Sequence, residues 1–269
     1  MNEELKTVIG IAKQAGEILS KYFNKDLAVE YKQDEFDPVT QADKESDVYI
    51  RHALTVSFPT DEILSEENDA RPSSYKKRVW MVDPLDGTKD FVGGRASFAV
   101  MIGLLDNNVP KLGVIFNPIT NELFYAAKGG GAFREYDGRT ERLHVTNNHK
   151  LSEATLVVRN QIAGDIRPLD EQVNNLPVKN TLPDGSIGLK LGRIAQGKAD
   201  VSIHTNIHGC KWDTLAAEVI ITEAGGIIAD LEGNKLDYTK ETVAWDKYFV
   251  ATNNEDMLRQ VLDLIKLPS

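Results

Sequence analysis

Cysteine is almost missing from this chain: the single residue Cys210 has no partner for an internal disulfide, so covalent staples have no place in its fold. No apolar run approaches the ~18 residues that a bilayer span requires. The opening MNEELKTVIG holds acids where a secretory signal would hold basic residues, which makes the cytoplasm the expected address. Repeats of roughly 20 to 50 residues, low-complexity tracts and long charge blocks are also absent, which argues against solenoids and disordered tails. Basic residues are in the minority, 31 Lys and Arg against 41 Asp and Glu, for a formal charge of −10. A nucleic-acid polymer is held mainly by clustered cations, so it is not the expected partner. Small phosphorylated ligands remain open if metal ions intervene.

What is present suits a globular protein. With 41% hydrophobic residues over 269 positions, area scaling gives roughly 12,000 Å² exposed when folded against about 43,000 Å² unfolded, enough burial for a large core. Leu5, Val8, Ile9, Ala12, Ala15, Ile18, Leu19 and Tyr22 follow the helical period and predict an amphipathic first helix. A second helix is expected from about Lys44 to Leu54. The period then changes, and Arg78 to Val82, Ser97 to Leu105, Lys111 to Asn117 and Glu122 to Ala127 read as strands broken by Gly, Pro and Asn. Residues 1–147 are therefore expected to form an α+β domain with an antiparallel sheet. From 148 to 269 strands and helices alternate: strand Ala154 to Val158, helix from Ser186, strand Asp200 to His204, helix from Asp213, strand Gly226 to Ala229. That is α/β character. A last helix, Asn254 to Lys266, is expected to pack on the second sheet.

The stretch Val79-Trp80-Met81-Val82-Asp83-Pro84-Leu85-Asp86-Gly87-Thr88-Lys89-Asp90 is the most informative. An apolar strand ends on a carboxylate that Pro84 holds extended, so Asp83 and Asp86 can converge on one point. Asp86 is also a candidate N-cap for a short helix through Phe91, with the Gly87 and Thr88 amides offered to an anion. The plain alternative is that Asp83 ends a strand and Asp86 caps a helix. A dehalogenase-type phosphatase start, Asp-x-Asp-Gly-Thr, fits poorly, because here two residues separate the acids and Pro84 follows the first. Of Glu66 and Glu67, adjacent on an extended chain, only one need face the same site, and Glu66 is our choice. Asp43 and Asp213 each stand at the start of a helical pattern, where a cap alone would explain them. Four separate segments nevertheless bring an acid to an element boundary.

In its order of motifs the chain resembles the inositol monophosphatase superfamily, whose members are magnesium-dependent, lithium-sensitive phosphatases. The matching residues are Asp43, Glu66-Glu67, Asp83 to Thr88, Trp212-Asp213 and Gly225-Gly226, spread over nearly the whole length. The resemblance implies a layered αβαβα sandwich of the inositol monophosphatase and fructose-1,6-bisphosphatase type. It also implies two or three Mg2+ ions: Glu66, Asp83 and the Leu85 carbonyl on one, Asp83, Asp86 and Asp213 on a second, and a weaker third near Glu66. Thr88, paired with Asp43 and working beside Glu66, would position the attacking water. Substrate contacts are expected from Glu66, Leu85, Asp86, Gly87, Thr88 and Asp213.

Within the superfamily, three stretches resemble the 3'(2'),5'-bisphosphate nucleotidases: Gly87-Thr88-Lys89-Asp90-Phe91, Gly185 to Lys190 with Ile194 to Asp200, and Gly209 to Thr214. The implied substrate is adenosine 3',5'-bisphosphate, with inositol or sugar monophosphates as the alternative and a catalytically silent metal or nucleotide sensor as a second. Ser186, Lys190 and His204 would contact the substrate, unless Lys190 is a surface lysine and His204 a hydrogen-bonded strand-end residue. Some nucleotidases have arginine in place of His204 and a Ser-His pair where this chain reads Arg159-Asn160-Gln161. The expected assembly is a monomer or homodimer.

Overall fold

The computed structural model describes residues 2–25, 29–31, 38–160, 165, 167–205, 209–245 and 247–266. Gln161 of the Arg159-Asn160-Gln161 stretch lies outside these residues. Five layers stack in the order helix, sheet, helix, sheet, helix.

The first layer pairs α1 (Glu3–Tyr22) with α2 (Gln41–Ser57). Asn2 caps α1 by accepting from the Leu5 amide at 2.8 Å, and the stripe Leu5, Val8, Ile9, Ala12, Ala15 and Leu19 is buried, as its period predicts. A short ribbon, β1 (Val29–Tyr31) against β2 (Pro38–Thr40), leads into α2.

The second layer is a seven-stranded sheet in simple sequence order. It contains β3 (Glu62–Ser65), β4 (Arg78–Asp86), β5 (Ala99–Asp106), β6 (Val109–Asn117), β7 (Glu122–Ala127), β8 (Gly131–Tyr136) and β9 (Arg139–Arg142). Helices cover both faces, so its central strands are near-continuous apolar runs. Trp80, Val82, Val100, Ile102 and Leu104 face α1 and α2, while Val79, Met81, Ala99 and Met101 face the other way. The expected antiparallel sheet needs one correction: β3 pairs with β4 in parallel. A short helix, α3 (Thr88–Val92), follows β4.

The second sheet runs β11 (Asn180–Pro183), β10 (Thr155–Val158), β12 (Val201–His204), β14 (Phe249–Thr252), β13 (Ile227–Asp230). The expected alternation of strands and helices yields parallel pairs only at β10 with β11 and β12, because β14 runs antiparallel to both of its neighbours. Between the sheets lie α5 (Ile187–Ala195) and α6 (Lys211–Glu223), and the outer face carries α4 (Asp170–Asn174) and α7 (Glu255–Leu264). The exposed surface, 12093 Å², agrees with the scaling expectation. Among the described residues, no helix is long and apolar enough to cross a membrane.

Helix α6 presses on β5 and β6 at glycines: a Cβ on Gly113 would stand 2.1 Å from the Ala216 carbonyl oxygen, backbone against backbone. Its other side is covered by the segment 231–245, where the Tyr238 hydroxyl lies 2.7 Å from a Glu218 carboxylate oxygen and 3.0 Å from the Thr214 hydroxyl. Burial pushes the Glu218 carboxyl up to about 7, against the pull of the Tyr238 hydrogen bond.

Two outcomes follow from this packing. Gly113→Ala should cost about 3 kcal/mol or more in denaturant titration, since neither backbone can yield. For Glu218, the folded state keeps a proton that an exposed carboxyl releases near 4.5, so its contribution to stability is full below pH 4.5 and is lost as pH rises through about 7. Glu218→Gln should therefore exceed the parent in stability above pH 7, by on the order of 1–3 kcal/mol, and the gap should close below pH 5.

Candidate active site

The site begins with an irregularity in β4. Asp83 pairs with Met101 of β5 and Asp86 with Ala99, so three residue steps on one strand oppose two on the other. In a regular strand, residues three apart point to opposite faces. The bulge at Pro84 and Leu85 cancels that change of side, and both carboxylates face the layer of α5 and α6, like Ala99 and Met101 opposite them. The convergence expected from the sequence is present, and the bulge is its cause. The capping role expected for Asp86 is not. Gly87 is the N-cap of α3, with a left-handed backbone (φ 94°) that suits glycine, and Asp86 instead accepts from the Ser186 hydroxyl at 2.5 Å and the Gly188 amide at 2.7 Å. It thus caps α5 from a neighbouring strand.

Glu66 arrives by continuation of the parallel pairing, its amide donating to the Val82 carbonyl at 3.1 Å, which sets it beside Asp83. Its carboxyl hydrogen-bonds that of Asp83. Asp213 was expected just ahead of its helix, but α6 starts two residues earlier, at Lys211. Asp213 therefore lies inside the first turn, where it accepts from the Cys210 amide at 2.6 Å. Asp43 occupies the same position in α2, accepting from the Thr40 amide at 2.8 Å and hydroxyl at 2.6 Å. Its other oxygen lies 3.2 Å from the Thr88 hydroxyl, which is also 3.0 Å from the Leu85 carbonyl. The expected pairing of Asp43 with Thr88 is in place.

The charges are crowded. Burial, then the neighbouring Glu66, Asp86 and Asp213, hold the Asp83 carboxyl well above the usual carboxylate range. Burial and Glu66 do the same to Asp213, against the Cys210 amide. Asp86 is pushed up to about 6 by burial, with Ser186, the Gly188 and Ile187 amides and Lys190 opposing. Among the described residues, no group of three or more His, Cys, Asp or Glu side chains forms a ready-made metal cage. The donor chemistry nevertheless fits a hard divalent cation. Every candidate is an oxygen, the carboxylates repel one another, and magnesium needs only one or two of them because it keeps waters and shares substrate phosphate.

Around this acidic centre lies a basic rim. Lys190 is no surface lysine: it is buried, and its ammonium is brought down to about 8 by burial and then by Arg167. Nor is His204 a hydrogen-bonded strand-end residue. Both ring nitrogens are buried without a partner among the described residues, the ring stacks on Phe249 at 4.5 Å, and burial with Lys190 and Arg167 holds it well below its usual range, hence neutral. Ser186 is fully buried and committed to Asp86 and the Leu189 amide. Sequence reasoning missed the role of Arg159 and Arg167, which line a narrow cleft with Asp170, Lys190 and Thr205. Arg159 pairs with Asp170 at 2.6 Å and Asp165 at 3.2 Å, and Asp165 also binds Lys89 at 2.9 Å. No motif marks them, and their one signal is two arginines in an otherwise acidic stretch.

The fold is that of known phosphatases. The IMPase of Thermotoga maritima superposes with a TM-score of 0.83 over 98% of this chain and 96% of its own, at 26% identity. The inositol monophosphatase of Anabaena (Nostoc) superposes at 0.78 over 97% and 96%, at 28% identity. This chain belongs to the inositol monophosphatase family, whose profile matches residues 1–265, and is a phosphatase of that metal-dependent group. Among curated relatives, the 3'(2'),5'-bisphosphate nucleotidase CysQ of Aggregatibacter actinomycetemcomitans is 34% identical over 259 residues, covering 94% of this chain and 93% of the relative. An inositol monophosphatase of Mesembryanthemum crystallinum is also 34% identical, over 252 residues and 91% of each chain. Overall identity therefore ranks the two substrate classes equally.

The crowding of Asp83 has a measurable consequence. Asp83→Asn removes one charge from the buried cluster, so the metal-free protein should melt higher than the parent at pH 8, while the stabilisation that added Mg2+ gives the parent should vanish. Turnover should fall below about a tenth of the parent's if this carboxylate holds the cations.

Proposed function

We propose that this chain is a magnesium-dependent 3'(2'),5'-bisphosphate nucleotidase that removes the 3'-phosphate of adenosine 3',5'-bisphosphate, leaving AMP and inorganic phosphate. The observation that supports this substrate over a monophosphate is the basic rim. Arg159, Arg167 and Lys190 stand around one cleft beside Asp86, desolvated at a cost, and Arg159 Nε is buried without a hydrogen-bond partner among the described residues. A second phosphate on the substrate satisfies such groups. An inositol monophosphate, neutral apart from its reacting phosphate, does not.

On this reading, Glu66, Asp83 and the Leu85 carbonyl would hold one Mg2+, and Asp83, Asp86 and Asp213 a second, with a weaker third beside Glu66. Cations held there would supply positive charge to the phosphate oxygens, to a water and to the departing alkoxide. The chain's own groups do the rest. Asp43 orients the Thr88 hydroxyl, which with Glu66 places the attacking water, a general-base contribution of roughly 10²- to 10⁴-fold. The Gly87 and Thr88 amides at the start of α3 meet the phosphate. Ser186 acts through Asp86 by fixing its orientation, and His204, neutral and stacked on Phe249, presents a ring edge to the nucleotide.

A second reading, action on inositol or sugar monophosphates, is favoured by the equal identity to the plant inositol monophosphatase. Phosphate release from adenosine 3',5'-bisphosphate and from inositol 1-phosphate, each with Mg2+, separates the two. The nucleotide should have the higher kcat/KM by at least about tenfold, equivalent to about 1.4 kcal/mol. Arg167→Ala should lower it for the nucleotide by a similar factor and leave inositol phosphate unaffected. A preference for inositol phosphate overturns the proposal.

A further inference from the structure

One buried cation takes no part in the chemistry above. Lys211 is fully buried, yet it is the first residue of α6, where the positive end of the helix dipole makes a cation unwelcome. An apolar side chain would fill the same space without that penalty. The charged groups that act on its ammonium are Asp237 and Lys240. It donates to the Lys240 carbonyl and lies over the ring of Tyr75, 3.6 Å from the centroid. Its amide donates to the Val243 carbonyl at 3.1 Å, and the Trp245 amide donates to the Gly209 carbonyl at 2.7 Å, so the segment 231–245 is tied down on both sides of it.

Tyr75 gives this arrangement its purpose. It is 8% exposed and belongs to the loop 66–77 between β3 and β4, which begins with Glu66. The outer side of that loop is held by the Ser73 hydroxyl on Glu62 at 2.5 Å. Its inner side is held by the stacking of Tyr75 on Lys211, two residues before Asp213. Glu66 and Asp213 repel each other, so something other than their own attraction must keep the loop and the helix together when the cluster holds no cation.

We propose that Lys211 is a positioning residue: through the face of Tyr75 it clamps the Glu66 loop onto the first turn of α6 and so presets Glu66 and Asp213 for a shared cation cluster. The inference rests on the metal-site reading given above. It distinguishes the ring from its hydroxyl and predicts that the two partners act as one unit.

The test is calorimetric titration of Mg2+ into the metal-free full chain, alongside kcat at saturating Mg2+. Lys211→Met and Tyr75→Leu should each raise the Mg2+ dissociation constant by roughly three- to thirty-fold. Tyr75→Phe should bind like the parent, Lys211→Arg should recover most of the affinity, and the Lys211→Met, Tyr75→Leu double variant should be no worse than either single one. Should Lys211→Met fail to fold, the contrast of Tyr75→Leu with Tyr75→Phe decides. Unchanged Mg2+ affinity in Tyr75→Leu, equal losses in Tyr75→Leu and Tyr75→Phe, or additive losses in the double variant overturn the clamp. Absence of any Mg2+ binding by the parent overturns the metal-site reading itself, and the clamp with it.

Discussion

Mutual repulsion among buried carboxyl groups is the constraint around which this molecule is organised. Asp83 and Asp86 are buried and Asp213 is half-buried, and two of them act directly on a third, together with Glu66. The backbone softens the repulsion where it can. The amides of Leu85, Gly188 and Cys210 point at Asp83, Asp86 and Asp213 in turn, and α5 and α6 direct their positive ends toward the cluster. These partial charges do not suffice, because all three carboxyls remain displaced upward. A fold that tolerates such an arrangement is incomplete without positive charge from outside, and its stability must come from elsewhere.

It comes from the sheets and, above all, from α6. This helix lies between both sheets, meets β5 and β6 at backbone distance through Gly103 and Gly113, and carries Asp213 in its first turn. Packing and ligand placement are therefore the same constraint. A helix held against backbone cannot slide to relieve repulsion at its end, so the strain stays in the cluster, where a cation can answer it. The bulge in β4 works in the same direction, since the paired flanks at Asp83 with Met101 and Asp86 with Ala99 leave neither acid free to turn away.

How much of this the sequence revealed depends on how local the cause is. The stripe of α1 and the runs of β4 to β7 were legible because periodicity carries them, and the grouping of Asp43, Glu66, Asp83 and Asp213 because the order of motifs resembles that of the family. The partner of Asp86 was not, for it depends on α5 lying against β4, a hundred residues away. Helix starts were misplaced for the same kind of reason: an aspartate in the first turn can serve a cap, as in α2 and α6, without being one. Strand β9 is exposed along its whole length and has no inward face to alternate with, and β8 is buried only at its first two residues. The basic rim was the least legible, because Arg159, Arg167 and Lys190 are separated in sequence and meet only where β10, the approach to α4 and α5 come together.

That rim changes how the net charge of −10 should be understood. An acidic protein is a poor host for a dianion unless its field is structured, and here the structure is a negative centre flanked by buried cations. Lys190 belongs to both parts: Asp86 supports its charge, while Arg167 opposes it. On the nucleotidase reading, the two phosphates of one substrate divide accordingly, the reacting one going to cations held by the acids and the other to the arginines. Discrimination then resides in the distance between centre and rim. A ligand with one phosphate can satisfy only one of them, and at the rim it leaves Arg159 Nε buried without a hydrogen-bond partner among the described residues.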